Sequence, residues 1–119
     1  MTNTVNLIEE LKQFTGTEQW YRNPLFPKYL YTDGVKYLAE IAGAYWLIDY
    51  IFSNQSLKVI QEQEFQVWEL IVDDDRAIIR VEDGNDNLIH EFKISYTDFP
   101  LKKFSLWFTD NVLLLPSEY

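Results

Sequence analysis

Any chemistry in this chain falls to carboxylates, hydroxyls and one imidazole: it has 19 Asp and Glu, a single histidine, His90, and no cysteine. The lack of thiols removes disulfides, thiolate nucleophiles and sulfur-ligated zinc. One imidazole cannot build a conventional zinc site, so no metal and no cofactor is expected. Asp49 stands in the apolar run Tyr45-Trp-Leu-Ile-Asp-Tyr-Ile-Phe. A buried acid there is either a structural acceptor for a Tyr or Trp donor or a carboxylate with a raised pKa at a pocket floor. His90 falls in phase with Leu88, Phe92, Ile94 and Tyr96. Strand alternation aims it at the apolar face provided the strand has no bulge, as a satisfied core or edge residue or as a general base.

Three short polar motifs complete the candidates: Thr15-Gly-Thr-Glu, Tyr31-Thr-Asp-Gly and Tyr96-Thr-Asp-Phe-Pro. Each has a structural job, the first ending a helix, the second capping one, the third bonding backbone amides before Pro100. The functional alternative gathers Thr17, Glu18, Asp33 and Asp98 at one end of a sheet to hold a ligand or cation. With Asp49 and His90 they make up the candidate ligand-binding set; no residue is assigned a catalytic role. Gly-rich phosphate loops, nucleophile elbows and His-Glu-x-x-His are absent. Asp83-Gly-Asn-Asp-Asn resembles the start of a calcium loop but has Leu88 and Ile94 where that loop needs Gly and Glu, so it reads as a turn.

The elements that must position these groups divide by periodicity. Asn3 or Thr4 caps a first helix in which Val5, Leu7, Ile8, Leu11 and Phe14 share a face and which Gly16 stops. Pro24 and Pro27 make the stretch from Thr15 to Tyr31 an ordered irregular loop, with room for one short strand around Glu18 to Arg22. Thr32 or Asp33 caps a second helical region running to Phe52, with Tyr37, Ile41, Ala44, Ile48 and Ile51 on one face; Gly43 is a point where it divides. Beyond residue 56 the period shortens to that of strands: Glu64–Val72, Ala77–Glu82, Leu88–Tyr96, Phe104–Phe108 and Val112–Leu115. Asp83-Gly and Thr109-Asp-Asn supply hairpin turns. The expectation is one α+β domain over 1–119, with helices from about 1–56 packed on one face of a four- to five-stranded antiparallel meander from about 64–116.

Charge and leader content limit the partners. At −9 the chain is repelled by phosphate backbones and anionic lipid, which disfavours nucleic acid and membranes. The longest apolar stretch, Ile41 to Ile48, is far short of the roughly 20 residues that span a bilayer. Met-Thr-Asn-Thr-Val-Asn-Leu lacks the order of a secretory signal, so a cytoplasmic location is expected.

The blocks Phe14-Thr-Gly-Thr-Glu, Tyr31-Thr-Asp-Gly-Val, Tyr45-Trp-Leu-Ile-Asp, Tyr96-Thr-Asp-Phe-Pro and Leu113-Leu-Leu-Pro-Ser-Glu-Tyr resemble an uncharacterised family of small bacterial proteins, cyanobacterial in type, over about Leu11 to Tyr119. The resemblance implies a bacterial source and no activity. An acidic chain rich in Trp and Tyr, and poor in acid-base or nucleophilic groups, points to a non-enzymatic interaction or regulatory module. Its partner would be a basic protein, met by the turns Asp73–Asp75 and Asp83–Asp86, or a second copy. The alternatives are a small-ligand or cation-binding protein, or an enzyme using Asp33, Asp49 and Asp98.

Overall fold

A computed structural model describes residues 4–16 and 19–119. The first helix, α1 (Thr4–Leu11), ends before Phe14, the chain leaving through turns in which Gln13 N donates to Glu10 O and Phe14 N to Leu11 O. Asn3, the other proposed cap, lies outside the described residues, as do Thr17 and Glu18.

Two short strands come next, β1 (Trp20–Arg22) and β2 (Leu30–Thr32). Thr32 then caps α2 (Asp33–Ala42), its Oγ1 accepting from Val35 N at 3.2 Å. Gly43 ends that helix in the left-handed region at φ 62°, where the missing Cβ removes the strain. A new helix, α3 (Tyr45–Ser53), starts after Ala44, followed by a 3-10 turn at Asn54–Ser56 and a short α4 (Lys58–Gln61). The break resets the helical phase. Val35, Leu38 and Ala39 are buried in α2 and Leu47, Ile48, Ile51 and Phe52 in α3, whereas Ile41, expected on the inner face, is 39% exposed.

The remaining strands are β3 (Phe65–Asp73), β4 (Arg76–Glu82), β5 (Leu88–Ile94), β6 (Lys103–Thr109) and β7 (Val112–Leu114). All seven join one sheet in the order β1-β2-β7-β6-β3-β4-β5. The expected C-terminal antiparallel meander of four or five strands is therefore corrected. The sheet is mixed: β2 runs parallel to β7, with Tyr31 opposite Leu113, and the other neighbours are antiparallel. The division into a helical half and a sheet half fails for the same reason, since two strands precede α2. Three-residue strands are too short to show an alternating pattern, and a parallel pair joins segments far apart in the chain that no local signal links.

The helices cover one face. Leu47 and Ile51 of α3 line the same gap as Trp68, Leu70, Ile79 and Leu106 of the sheet. Phe52 meets Phe108 at a ring separation of 5.8 Å, and Tyr50 meets Phe92 at 5.4 Å. Across the opposite face lies the last segment, a 3-10 turn at Pro116–Glu118 whose following Tyr119 ring sits 5.4 Å from Trp107 and 5.7 Å from Phe65.

The turns behave as expected with one change. Asp110 and Asn111 adopt φ of 54° and 64° in the β6–β7 hairpin, and Asp74 takes 56° between β3 and β4. In the β4–β5 turn the positive φ falls on Asp86, at 66°, and not on the glycine of the Asp-Gly pair. Asp83 holds that turn instead, Oδ1 accepting from Asn85 N at 2.8 Å and Asn87 N at 3.0 Å while Oδ2 accepts from Asn87 Nδ2 at 3.0 Å.

Candidate functional site

Strands β2 and β7 end side by side, which brings their two exit segments together. β2 passes directly into α2; β7 passes into the 3-10 turn at Pro116–Glu118. Glu118, 9% exposed, lies against the first turn of α2. Its Oε1 accepts from Thr32 Oγ1 at 2.6 Å and from Leu115 N at 2.9 Å, and its Oε2 accepts from Gly34 N at 3.3 Å. A helix N-terminus favours such an acid, because its first amides have no intrahelical acceptor. Thr32 links the two segments, receiving the Val35 amide proton and donating its own to Glu118.

Gly34 makes the close approach possible. A Cβ at this position would stand 2.7 Å from Glu118 Oε1 and 2.7 Å from Leu115 Cδ1. Burial pushes the Glu118 pKa above the usual carboxylate range, and a hydrogen-bonding contact with the Asp33 carboxyl pushes it the same way. The Thr32 hydroxyl and the Leu115 and Gly34 amides pull it down without reversing the shift.

Beside this acid opens a groove of about 360 Å³ whose lining includes Trp20, Thr32, Asp110, Leu114, Glu118 and Tyr119. Trp20 pairs with Thr32 across β1 and β2, which places both on the sheet face away from the helices. The Trp20 ring is 54% exposed and Tyr119 is 75% exposed. Two accessible rings with carboxylates nearby suit an organic cation, an ammonium or guanidinium, which gains from ring faces and from charge at once.

The sequence-derived candidates are dispersed by the fold. Asp33 is half-buried beside Glu118. Asp49 on α3 accepts from Asn23 Nδ2 at 2.8 Å; Asn23 itself is buried and fixes the loop after β1 by accepting from Leu25 N and Phe26 N. That loop lies beyond Arg22, which faces Leu30, and so at the opposite end of β2 from Asp33. Asp98 is exposed next to Thr97, whose N donates to Asp75 O in the β3–β4 turn and whose Oγ1 accepts from Phe99 N. Tyr31, Leu113, Phe108 and Gln66 form one row across β2, β7, β6 and β3. At strand spacings the β3–β4 turn is about 25 Å from Asp33. Asp33, Asp49 and Asp98 thus share no pocket, and among the described residues no three His, Asp or Glu are placed to hold a metal ion.

His90 lies opposite the buried Val81, hence on the helix side as the alternation suggested. It is exposed there because β5 is the sheet's edge and the register shifts between Val81 and Glu82, a bulge that puts Ile89 out of phase. Its ring rests 4.5 Å from Phe92. Glu118, Trp20 and Tyr119 are not among the candidates that the sequence offers, and Gly34 is there only as the end of the Tyr31-Thr-Asp-Gly motif. Thr32 and Glu118 are 86 positions apart, and no spacing rule joins them.

An acid tucked under a helix start beside an aromatic groove, on a seven-stranded mixed sheet, defines the protein by geometry; comparison places it by descent. Residues 5–119 match DUF6876, a family of unknown function, and the chain belongs to that family. No curated protein and no solved structure matches it. Among the described residues no helix is long and apolar enough to cross a membrane.

Proposed function

We propose that the chain is a non-enzymatic interaction module that receives a basic side chain of a partner protein in the groove between Trp20 and Tyr119. The observation that carries this reading is the groove's composition: two exposed aromatic rings and the acids Asp110 and Glu118 around one opening. A chain of charge −9 draws basic partners from a distance, and a groove of this kind converts that attraction into a seat for one lysine or arginine. The sequence reading placed a basic partner on the acidic turns at Asp73–Asp75 and Asp83–Asp86. Neither turn lines the groove, and their acids serve as steering charge.

An octalysine peptide titrated while tryptophan fluorescence is followed tests the proposal. Saturable binding is expected, lost at least tenfold in Trp20→Ala and Asp110→Asn and unchanged in Asp86→Asn. Asparagine tolerates the left-handed backbone at position 110, so that variant keeps the turn. Equal weakening by all three would mean diffuse charge attraction, and undiminished binding by Trp20→Ala would remove the groove from consideration.

A further inference from the structure

β5 ends the strand order, with β4 on one side and no described strand on the other. Its sequence is Leu88-Ile-His-Glu-Phe-Lys-Ile, in which Glu91 and Lys93 flank Phe92 on the face away from the helices. Charges on an edge strand ordinarily prevent pairing. Here their signs are opposite and their positions symmetric about one residue.

We infer that β5 is a self-association surface: it pairs antiparallel with β5 of a second copy about a two-fold axis at Phe92, placing each Glu91 opposite Lys93 of the other chain. In that register residues equally distant from Phe92 face each other, so His90 meets Ile94 on the helix side. Glu91 already lies opposite Arg80 of its own β4, 3.8 Å from its Nε, and Lys93 lies opposite Ile78. The row across the joined sheets therefore reads Arg80, Glu91, then Lys93 and Ile78 of the second copy, with charge alternating along it. A two-fold axis moved to Glu91 or Lys93 would set like charges together, which selects the register. The joined sheet has fourteen strands, twice the seven of one chain.

The bulge near Ile89 confines regular pairing to His90–Ile94, and the contact is smaller than the roughly 800 Å² per partner of a standard interface. A dissociation constant in the micromolar range is expected. Mutual repulsion of two −9 chains is screened beyond about 8 Å at physiological salt, so the measurement belongs there.

Sedimentation equilibrium of the full chain from about 5 to 500 µM decides the matter. The expected result is a monomer of 14.2 kDa in equilibrium with a species of twice that mass. Glu91→Lys and Lys93→Glu should each weaken it at least tenfold, and an equimolar mixture of the two should dimerise again, because every 91–93 contact between unlike variants is then of opposite sign. Glu91→Gln and Lys93→Gln, which introduce no like charges, should weaken the dimer less and serve if a reversal variant does not fold. A wild type that stays monomeric to 500 µM overturns the inference. So do reversal or neutral variants that dimerise as well as wild type, and a mixture of folded reversal variants that stays monomeric.

Discussion

Gln55 and Gln66 exchange two hydrogen bonds, each side-chain amide donating to the other's carbonyl oxygen at 2.8 and 2.9 Å. Both are buried, one in the turn after α3 and the other on β3, so the pair ties the helix layer to the sheet. Gln66 is then filled on all sides: Nε2 also donates to Ile60 O at 3.0 Å, and Oε1 also accepts from Trp68 Nε1 at 2.8 Å. A polar network satisfied in this way fixes one packing of a core, whereas a half-satisfied one is costly.

Replacing Gln66 by leucine should therefore destabilise the fold by more than its change in volume suggests. The Trp68 indole, the Gln55 amide and the Ile60 carbonyl would each lose a partner, at roughly 1–3 kcal/mol for a buried group left unsatisfied. Gln55→Leu leaves Gln66 its bonds to Ile60 and Trp68 and should cost less. In urea unfolding the double variant should fall short of the summed single effects by about 0.5–3 kcal/mol, the range for residues sharing a network. Strict additivity would show that the two amides act separately.

At Gly34 two effects oppose each other. Inside a helix alanine is favoured over glycine by about 1 kcal/mol. The added Cβ would press on Glu118 Oε1 and Leu115 Cδ1 at 2.7 Å, and overpacking of this kind costs about 1–3 kcal/mol. Gly34→Ala should lower the unfolding midpoint, and the loss should shrink in the background of Glu118→Ala. A stabilised Gly34→Ala protein would mean that the terminal turn yields freely.

The raised pKa of Glu118 predicts a pH dependence of definite sign. An acid whose folded pKa lies above its unfolded value binds its proton more tightly in the folded state. Its contribution is complete below the unfolded pKa, about 4.3, and is lost as pH rises through the folded value. The stability of wild type relative to Glu118→Gln should therefore fall from pH 4 upward, read from urea midpoints at a series of pH values. A wild type that gains on the glutamine variant as pH rises would show that the amides and the Thr32 hydroxyl outweigh burial.

The pattern of legibility tracks interaction range. Thr32 as a cap, Gly43 as a break and the β3–β4, β4–β5 and β6–β7 turns depend on neighbours within a few residues, and their chemistry is visible in the chain. The short strand β2 gains its place in the sheet from β7, more than 80 positions on, as Tyr31 does from Leu113, and β1 joins only through β2. Glu118 carries the same lesson at the site, since an acid after Pro116-Ser looks like a solvated tail until β7 brings it under α2. His90 is intermediate: alternation gave its face, but its exposure depends on β5 being the edge.

Asp49 offers a test of what a half-buried acid does in this fold. Its observed partner is Asn23 Nδ2, a donor on a side chain that is only 3% exposed. The expected Tyr or Trp donor is replaced by an amide that also shapes the backbone at Leu25 and Phe26. If the acceptor oxygen is what matters, Asp49→Asn keeps it and should unfold within about 0.5 kcal/mol of wild type, the scatter of a neutral substitution. Asp49→Ala leaves Asn23 Nδ2 without that acceptor and should cost roughly 1–3 kcal/mol. Because Asn23 anchors the loop from Pro24 to Tyr29, the alanine variant should also be cut faster by proteases after Lys28, followed by mass spectrometry. Equal losses for asparagine and alanine would instead assign the stabilisation to the negative charge, with Asn23 only one of its beneficiaries.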